Sequence, residues 1–264
     1  MSEKLRVRKD NRTEWVTLDR PERLNALDEE LADALVEYFE ALRGRVEVRV
    51  VVLSGRGRGF CSGLDLASPV IDRLTDGSLA ESLATQRKYS RVILAMRRAP
   101  QIIVALLHGA VSGAGFAIAL AADIRIASQD MWMNAAFIRI GLSGCDMGSS
   151  YLLPQLIGTS AAANLLFSGR RIDAARAHGL GLISEVVLED ELERAGLAMA
   201  DDLLASSPLA LRMTKACFYA NVDVSSLEAA LELEDRNQIL LARGPSFREG
   251  VEAFRAKRAP KFEE

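Results

Sequence analysis

Between Ile102 and Ala122 the chain reads IIVALLHGAVSGAGFAIALAA, 21 positions without an Asp, Glu, Lys or Arg. A stretch of that length is long enough to span a bilayer, and Gly109 and Gly113 even form a GxxxG pair. Its internal punctuation favours another solution. IIVALL, behind Pro100, is a short β-branched run, HGAVSGAG is a glycine-rich turn, and FAIALAA is a helical run closed by Asp123. A buried strand, a tight turn and a buried helix give the same hydropathy window. The expectation is a layered α/β protein, not a membrane protein.

Composition agrees. The 264 residues are 49% hydrophobic and 26% charged, enough for one or two domains and a core that needs no disulfides. With 33 basic and 36 acidic residues the formal net charge is −3. Such a chain has no global attraction for nucleic acid or anionic membranes, so an anionic ligand needs a local basic site. Cys61, Cys145 and Cys217 form no CxxC pair, and His108 and His178 lie far apart. No metal site is expected, and a reducing compartment is the simplest reading. MSEKLRVRKDNR carries no apolar signal-peptide core, so the expected location is the cytoplasm.

LRVRK and EWVTL read as two strands around an Asp10-Asn11 turn. A helix follows, with Asp28 as N-cap and Leu31, Leu35, Tyr38, Phe39 and Leu42 on one apolar stripe. VRVVVLSG, DIRIAS and ISEVV read as further strands. A helix is expected from about Leu83 to Met96, behind a mobile loop over Ser68 to Ala80. From Glu189 onward four amphipathic stretches are separated by Ser-Pro, Asp-Val-Ser and Gly-Pro breaks. The expected division is an α/β core over residues 1–188 and a helical part over 189–264. The apolar stripes of that part exceed what one helical layer covers, which points to assembly.

Two glycine-rich turns each follow a buried strand: GRGFCSGLDL (Gly57 to Leu66) and HGAVSGAG (His108 to Gly115), the second opening a helix. Facing each other, they would present converging backbone N–H donors, one at a helix N-terminus, suited to an oxygen that gains charge during reaction. Each alone is equally well a structural turn.

Taken in order, RPERLNALD, GFCSGLDL, HGAVSGAGFAIALAADIRIAS, LLPQLIGTSAAANLLFSGRRIDAARAHGLGLISEVV and FRAKRAPKF resemble the enoyl-CoA hydratase/isomerase (crotonase) superfamily over most of the chain. The resemblance implies an α/β spiral of ββα units with a helical C-terminal part, assembled as a homotrimer or homohexamer. It implies an acyl-CoA thioester substrate, processed by hydration or isomerisation in fatty-acid metabolism. The CoA moiety belongs to the substrate, so no separate cofactor is expected. By resemblance, the N–H groups of Leu64 and Ala114 form an oxyanion hole. Arg23, Leu24, Ser62, Asp65 and Leu66 fall at CoA-contacting positions, and Lys257 falls where a C-terminal Lys approaches the CoA phosphates. Arg23 and Lys257 also read as solvated charges, and Asp65 as a loop or helix cap.

The sequence departs from the family where hydratases carry two catalytic glutamates. Ala117 and Phe137 stand there, and neither can move a proton. Asp146, in FIRIGLSGCDMGSSYLLP, is the one acid of that segment, near an active-site Asp of the family's dienoyl-CoA isomerases. It reads as a proton carrier or as a turn or cap residue. Cys145 beside it reads as a nucleophile or, without a partnering base, as a packed thiol. Hydration needs an acid and a base, whereas double-bond migration needs one group that removes and returns a proton. The expectation is an isomerase or hydratase working through an enolate. Its rival is a CoA-thioester-binding homologue with little hydratase activity.

Overall fold

Asp10 and Asn11 turn the chain between β1 (Leu5–Asp10) and β2 (Thr13–Leu18) in the computed structural model, which describes residues 2–262. A short 3-10 turn over Pro21–Arg23 leads to α1 (Glu29–Ala41). Asp28 caps α1, its carboxylate accepting the Leu31 N–H at 2.9 Å. Leu31, Leu35, Phe39 and Leu42 are fully buried and Tyr38 nearly so, which makes the expected stripe the core face. Next come β3 (Val50–Gly55), α2 (Val70–Thr75) and α3 (Leu79–Arg98).

The uncharged run divides into a strand and a helix as expected, but the segment between them, read as a turn, holds a further short strand. The run forms β4 (Ile102–Leu107), β5 (Ala110–Ser112) and α4 (Ala114–Ala121), and each residue from 102 to 122 is buried. Among the described residues no helix is long and apolar enough to cross a membrane. The chain continues through β6 (Ile124–Ser128), β7 (Trp132–Asn134), α5 (Ser149–Ile157), α6 (Thr159–Ser168), β8 (Ile172–Asp173), α7 (Ala174–Gly179) and β9 (Glu185–Val187). Four helices follow: α8 (Leu192–Leu204), α9 (Pro208–Val222), α10 (Leu227–Ala242) and α11 (Pro245–Arg255).

Six strands form one sheet in the order β1-β2-β3-β4-β6-β9, parallel beyond the first hairpin, and β5, β7 and β8 form a second. One turn of the spiral is therefore β4 in the large sheet, β5 in the small sheet and α4 outside both. β6, β7 and α5 repeat it. α4 lies wholly inside the core, so it has no polar face to mark it as amphipathic.

Two expectations are corrected. The segment from Ser68 to Ala80 is not a plain loop, because Val70 is fully buried and anchors α2. α3 also begins four residues before Leu83, where Ser78 and Glu81 form a reciprocal capping box.

Behind the large sheet, α8 packs on Trp15, Val50, Val52, Val104, Leu106 and Ile126. α9 is fastened by a buried knot. Asp123 Oδ2 accepts from Lys215 Nζ and from the Ile103 N–H, both at 2.7 Å, and Tyr219 OH donates to Oδ1 at 2.7 Å. α10 buries none of its residues, and Leu227, Ile239, Leu240, Phe247 and Phe254 are exposed on α10 and α11.

Candidate active site

The two glycine-rich turns lie side by side. Phe60 N–H donates to His108 O at 2.9 Å, Cys61 N–H to Ala110 O at 3.0 Å and Ser112 N–H to Cys61 O at 3.0 Å. Gly63 (φ 110°) and Gly113 (φ 52°) both need the left-handed side of backbone space. A Cβ on Gly63 would lie 3.1 Å from Ser112 O and 3.6 Å from Ala114 N, so the turns touch through bare backbone.

Leu64 N–H and Ala114 N–H make no backbone hydrogen bond among the described residues. Their neighbours do: Gly63 O accepts from Leu27 N–H at 2.7 Å, Asp65 N–H donates to Leu27 O at 3.0 Å, and Gly113 N–H donates to Asn134 O at 3.1 Å. Ala114 is the first residue of α4, where the partial positive charge of the helix N-terminus adds to its own dipole.

Leu64, Ala114 and Asp146 line one cavity of about 110 Å³. Leu66, Leu74, Phe137, Ile140, Leu142 and Met147 supply its apolar wall, and Gln86 and Tyr89 of α3 close it from above. Leu66, Ile140 and Leu142 are exposed, giving the mouth an apolar rim. Among the lining residues Asp146 is the sole carboxylate and no cation is present. Burial pushes the Asp146 carboxyl above its ordinary range, partly offset by hydrogen bonds from the Met147 N–H and Gln86. Its side chain does not cap α5, whose N-cap position is Gly148.

The other expected residues separate. Leu24 O accepts from Ser62 N–H at 3.0 Å and Arg23 O from Ser62 Oγ at 3.4 Å, so this lip meets the Leu64 loop. Asp65 is buried, and both its oxygens are engaged, by Arg20 at 2.8 Å and by Ala67 N–H at 3.1 Å. Burial raises its carboxyl, but the Arg20 hydrogen bond and charge prevail and hold it below the usual carboxylate range. Lys257, exposed beyond α11, does not line the cavity. Ala117 is fully buried in α4 outside the cavity lining, whereas Phe137 presses its ring towards Gly113, 3.8 Å from where a Cβ would stand. Exposed Cys145 is likewise not among the lining residues. Sequence reasoning missed Gln86, Tyr89 and Arg20: the Gln86–Asp146 and Arg20–Asp65 contacts and the place of Tyr89 in the cavity wall arise only through long-range folding.

Comparison with known proteins shows the family. The profile of the enoyl-CoA hydratase/isomerase family matches residues 9–264. The 1,2-epoxyphenylacetyl-CoA isomerase of Escherichia coli K12 is 32% identical over 247 residues, covering 94% of this chain and 93% of that protein. An enoyl-CoA hydratase homologue of Mycobacterium bovis is 37% identical over 252 residues, 94% of this chain and 88% of its own. The crystal structure of an enoyl-CoA hydratase homologue from Streptomyces coelicolor A3(2) superimposes with a TM-score of 0.94 at 39% identity, covering 99% of this chain and 94% of its own. Near-complete coverage, a shared fold and the ordered loop motifs make this chain an enzyme of the enoyl-CoA hydratase/isomerase family.

Proposed function

We propose that the protein isomerises an enoyl-CoA thioester through an enolate held by the N–H groups of Leu64 and Ala114, with Asp146 carrying the proton. One observation carries this reading: those two donors and a single carboxylate line the same apolar cavity. The thioester oxygen sits between the donors and takes on charge as Cα loses its proton to Asp146. The electron pair of the C–H bond passes into the enolate. On collapse, the double bond moves from Cβ=Cγ to Cα=Cβ, and Cγ recovers the proton from Asp146. The burial that raises Asp146 makes it a stronger base and suits it to return the proton.

CoA enters as part of the substrate, and no further cofactor is needed. Its passage runs over the lip of Arg23, Leu24, Ser62, Asp65 and Leu66, with Lys257 reaching the phosphates from a neighbouring copy. The exposed apolar residues of α10 and α11 support a homotrimer or homohexamer, with residues 189–264 as the assembling part and 1–188 as the core. The expected location is the cytoplasm and the expected role is fatty-acid metabolism.

Ala117 and Phe137 favour a second reading, a CoA-thioester-binding homologue with little hydratase activity. Deuterium uptake at Cα of a bound acyl-CoA separates the two. Asp146→Asn keeps the shape and removes the base, so uptake should fall by about 10²-fold or more. Equal uptake by both proteins refutes the proton role. Hydration of crotonyl-CoA by the parent at about ten per second or faster refutes the single-carrier reading.

A further inference from the structure

We propose that Gln86 is a positioning residue for Asp146: its side-chain amide holds one carboxylate oxygen and leaves the other to serve the acyl group. The inference rests on the reading of Asp146 as proton carrier. Gln86 Nε2 donates to Asp146 Oδ1 at 2.6 Å, and the Met147 N–H donates to the same oxygen at 2.6 Å. Oδ2 has no protein partner among the described residues. One oxygen is thus doubly held and the other is unclaimed.

The contact is built in by the register of α3. Gln86, Tyr89 and Ile93 recur at i, i+3 and i+7, on one face of the helix. Gln86 meets Asp146, Tyr89 lines the same cavity, and a Cβ on Gly148 would lie 3.6 Å from Ile93 Cγ2. The turn beneath is fixed separately. Asp146 N–H donates to Ser149 Oγ at 3.1 Å, Ser149 N–H donates to Asp146 O at 2.9 Å, and Met147 adopts a left-handed φ of 45°. The backbone is therefore set by the turn, and apart from the adjacent Met147 N–H, Gln86 is the group that orients the carboxylate.

A neutral donor suits this task. A Lys or Arg would stabilise the ionised carboxylate so strongly that it became a weak base, whereas an amide orients it at smaller cost to basicity. The groups around Asp146 are consistent with that choice. Besides burial, only the Met147 N–H and the Gln86 amide act on the carboxyl, Ser149 bonds the backbone of the same turn, and no charged side chain other than Asp146 lines the cavity.

The test uses Gln86→Leu, which keeps the bulk, and Gln86→Glu, which keeps the shape and replaces the donor by a second acid. Folding is checked by melting temperature. The first readout is the pH profile of Cα deuterium uptake. The second, independent of turnover, is the pH titration of the Asp146 carboxyl carbon by NMR, assigned with Asp146→Asn. Both variants should move the Asp146 midpoint upward, Gln86→Glu more so. Uptake at pH 6 should fall by about tenfold, within the roughly 10²-fold that an ångström of misplacement costs. Acyl-CoA affinity is measured alongside, because Gln86 lines the cavity, and uptake is compared at saturating ligand. An unchanged midpoint and unchanged uptake in folded Gln86→Leu overturn the proposal. Loss of uptake in Asp146→Asn alongside a normal Gln86→Leu refutes only the positioning role. A parent without uptake whose carboxyl midpoint still shifts in Gln86→Leu refutes the catalytic reading and leaves the contact standing.

Discussion

Arg20 and Asp65 meet at 2.8 Å with about a tenth of each side chain exposed, directly behind the loop that carries the Leu64 N–H. Arg20 also donates to Ala26 O and lies 3.3 Å from Asp28 at the α1 cap, so one guanidinium ties the loop to the first helix. Asp65→Asn removes its main partner while Asp28 remains. The expected loss of stability is about 3 kcal/mol, the low end for a buried pair losing one member. Because the Asp65 carboxyl is held below its ordinary range, this stabilisation is present above the unfolded value, about 3.9. It fades as pH falls through the folded value. Urea unfolding of parent and variant at pH 7 and near pH 3 should show the difference shrinking in acid.

Ala114→Pro is a selective test of the second N–H donor. Proline is tolerated at the first position of a helix, so α4 should persist while its donor is gone. Cα deuterium uptake should drop by about 10²–10³-fold, the cost of one oxyanion donor. Circular dichroism should remain that of the parent. Undiminished uptake would remove Ala114 from the mechanism.

Asp146→Asn should stabilise the fold while it impairs the chemistry. Burial raises the carboxyl in the folded state, so the ionised group favours unfolding as pH rises through the folded value. The variant should gain on the order of 1 kcal/mol or less at pH 8. That gain should vanish below the unfolded value, about 3.9, where both states are protonated. Paired denaturation curves at pH 8 and pH 3.5 check the sign.

Phe254, 85% exposed on α11, should be covered in the assembled protein. Phe254→Asp should then shift light scattering from a trimer or hexamer towards the 28.8 kDa monomer. A parent that is itself monomeric would refute the proposed assembly.

Local chemistry made much of the frame readable in advance. Asp28 caps α1 because a short acceptor before an apolar stripe has few other uses, and the glycine-rich turns follow β3 and β4 because buried strands must end in permissive backbone. The small sheet was hidden because β5 and β7 are three residues long and β8 two, too short for periodicity. α2 was hidden because it rests on one buried side chain, Val70. Gln86 sits among polar neighbours in Thr85-Gln86-Arg87-Lys88, where nothing marks it from a solvated helix face. Its partner is sixty positions away, and only the docking of α3 on the Asp146 turn brings them together.

Asp123 accepts from the Ile103 N–H near the start of β4 and from two side chains of α9, and its carboxylate and the Lys215 ammonium are withdrawn from water. If α9 peeled away alone, a carboxylate at the head of β4 would lose two of its three donors at once. Such a half-open species is penalised relative to both the intact and the fully unfolded chain. Amide hydrogens of α9 should therefore exchange with solvent by the same cooperative opening as those of β4, although the helix stands at the edge of the molecule. α9 should thus open with the sheet, its loosening one event with the loss of the strand that leads into the Ala114 turn.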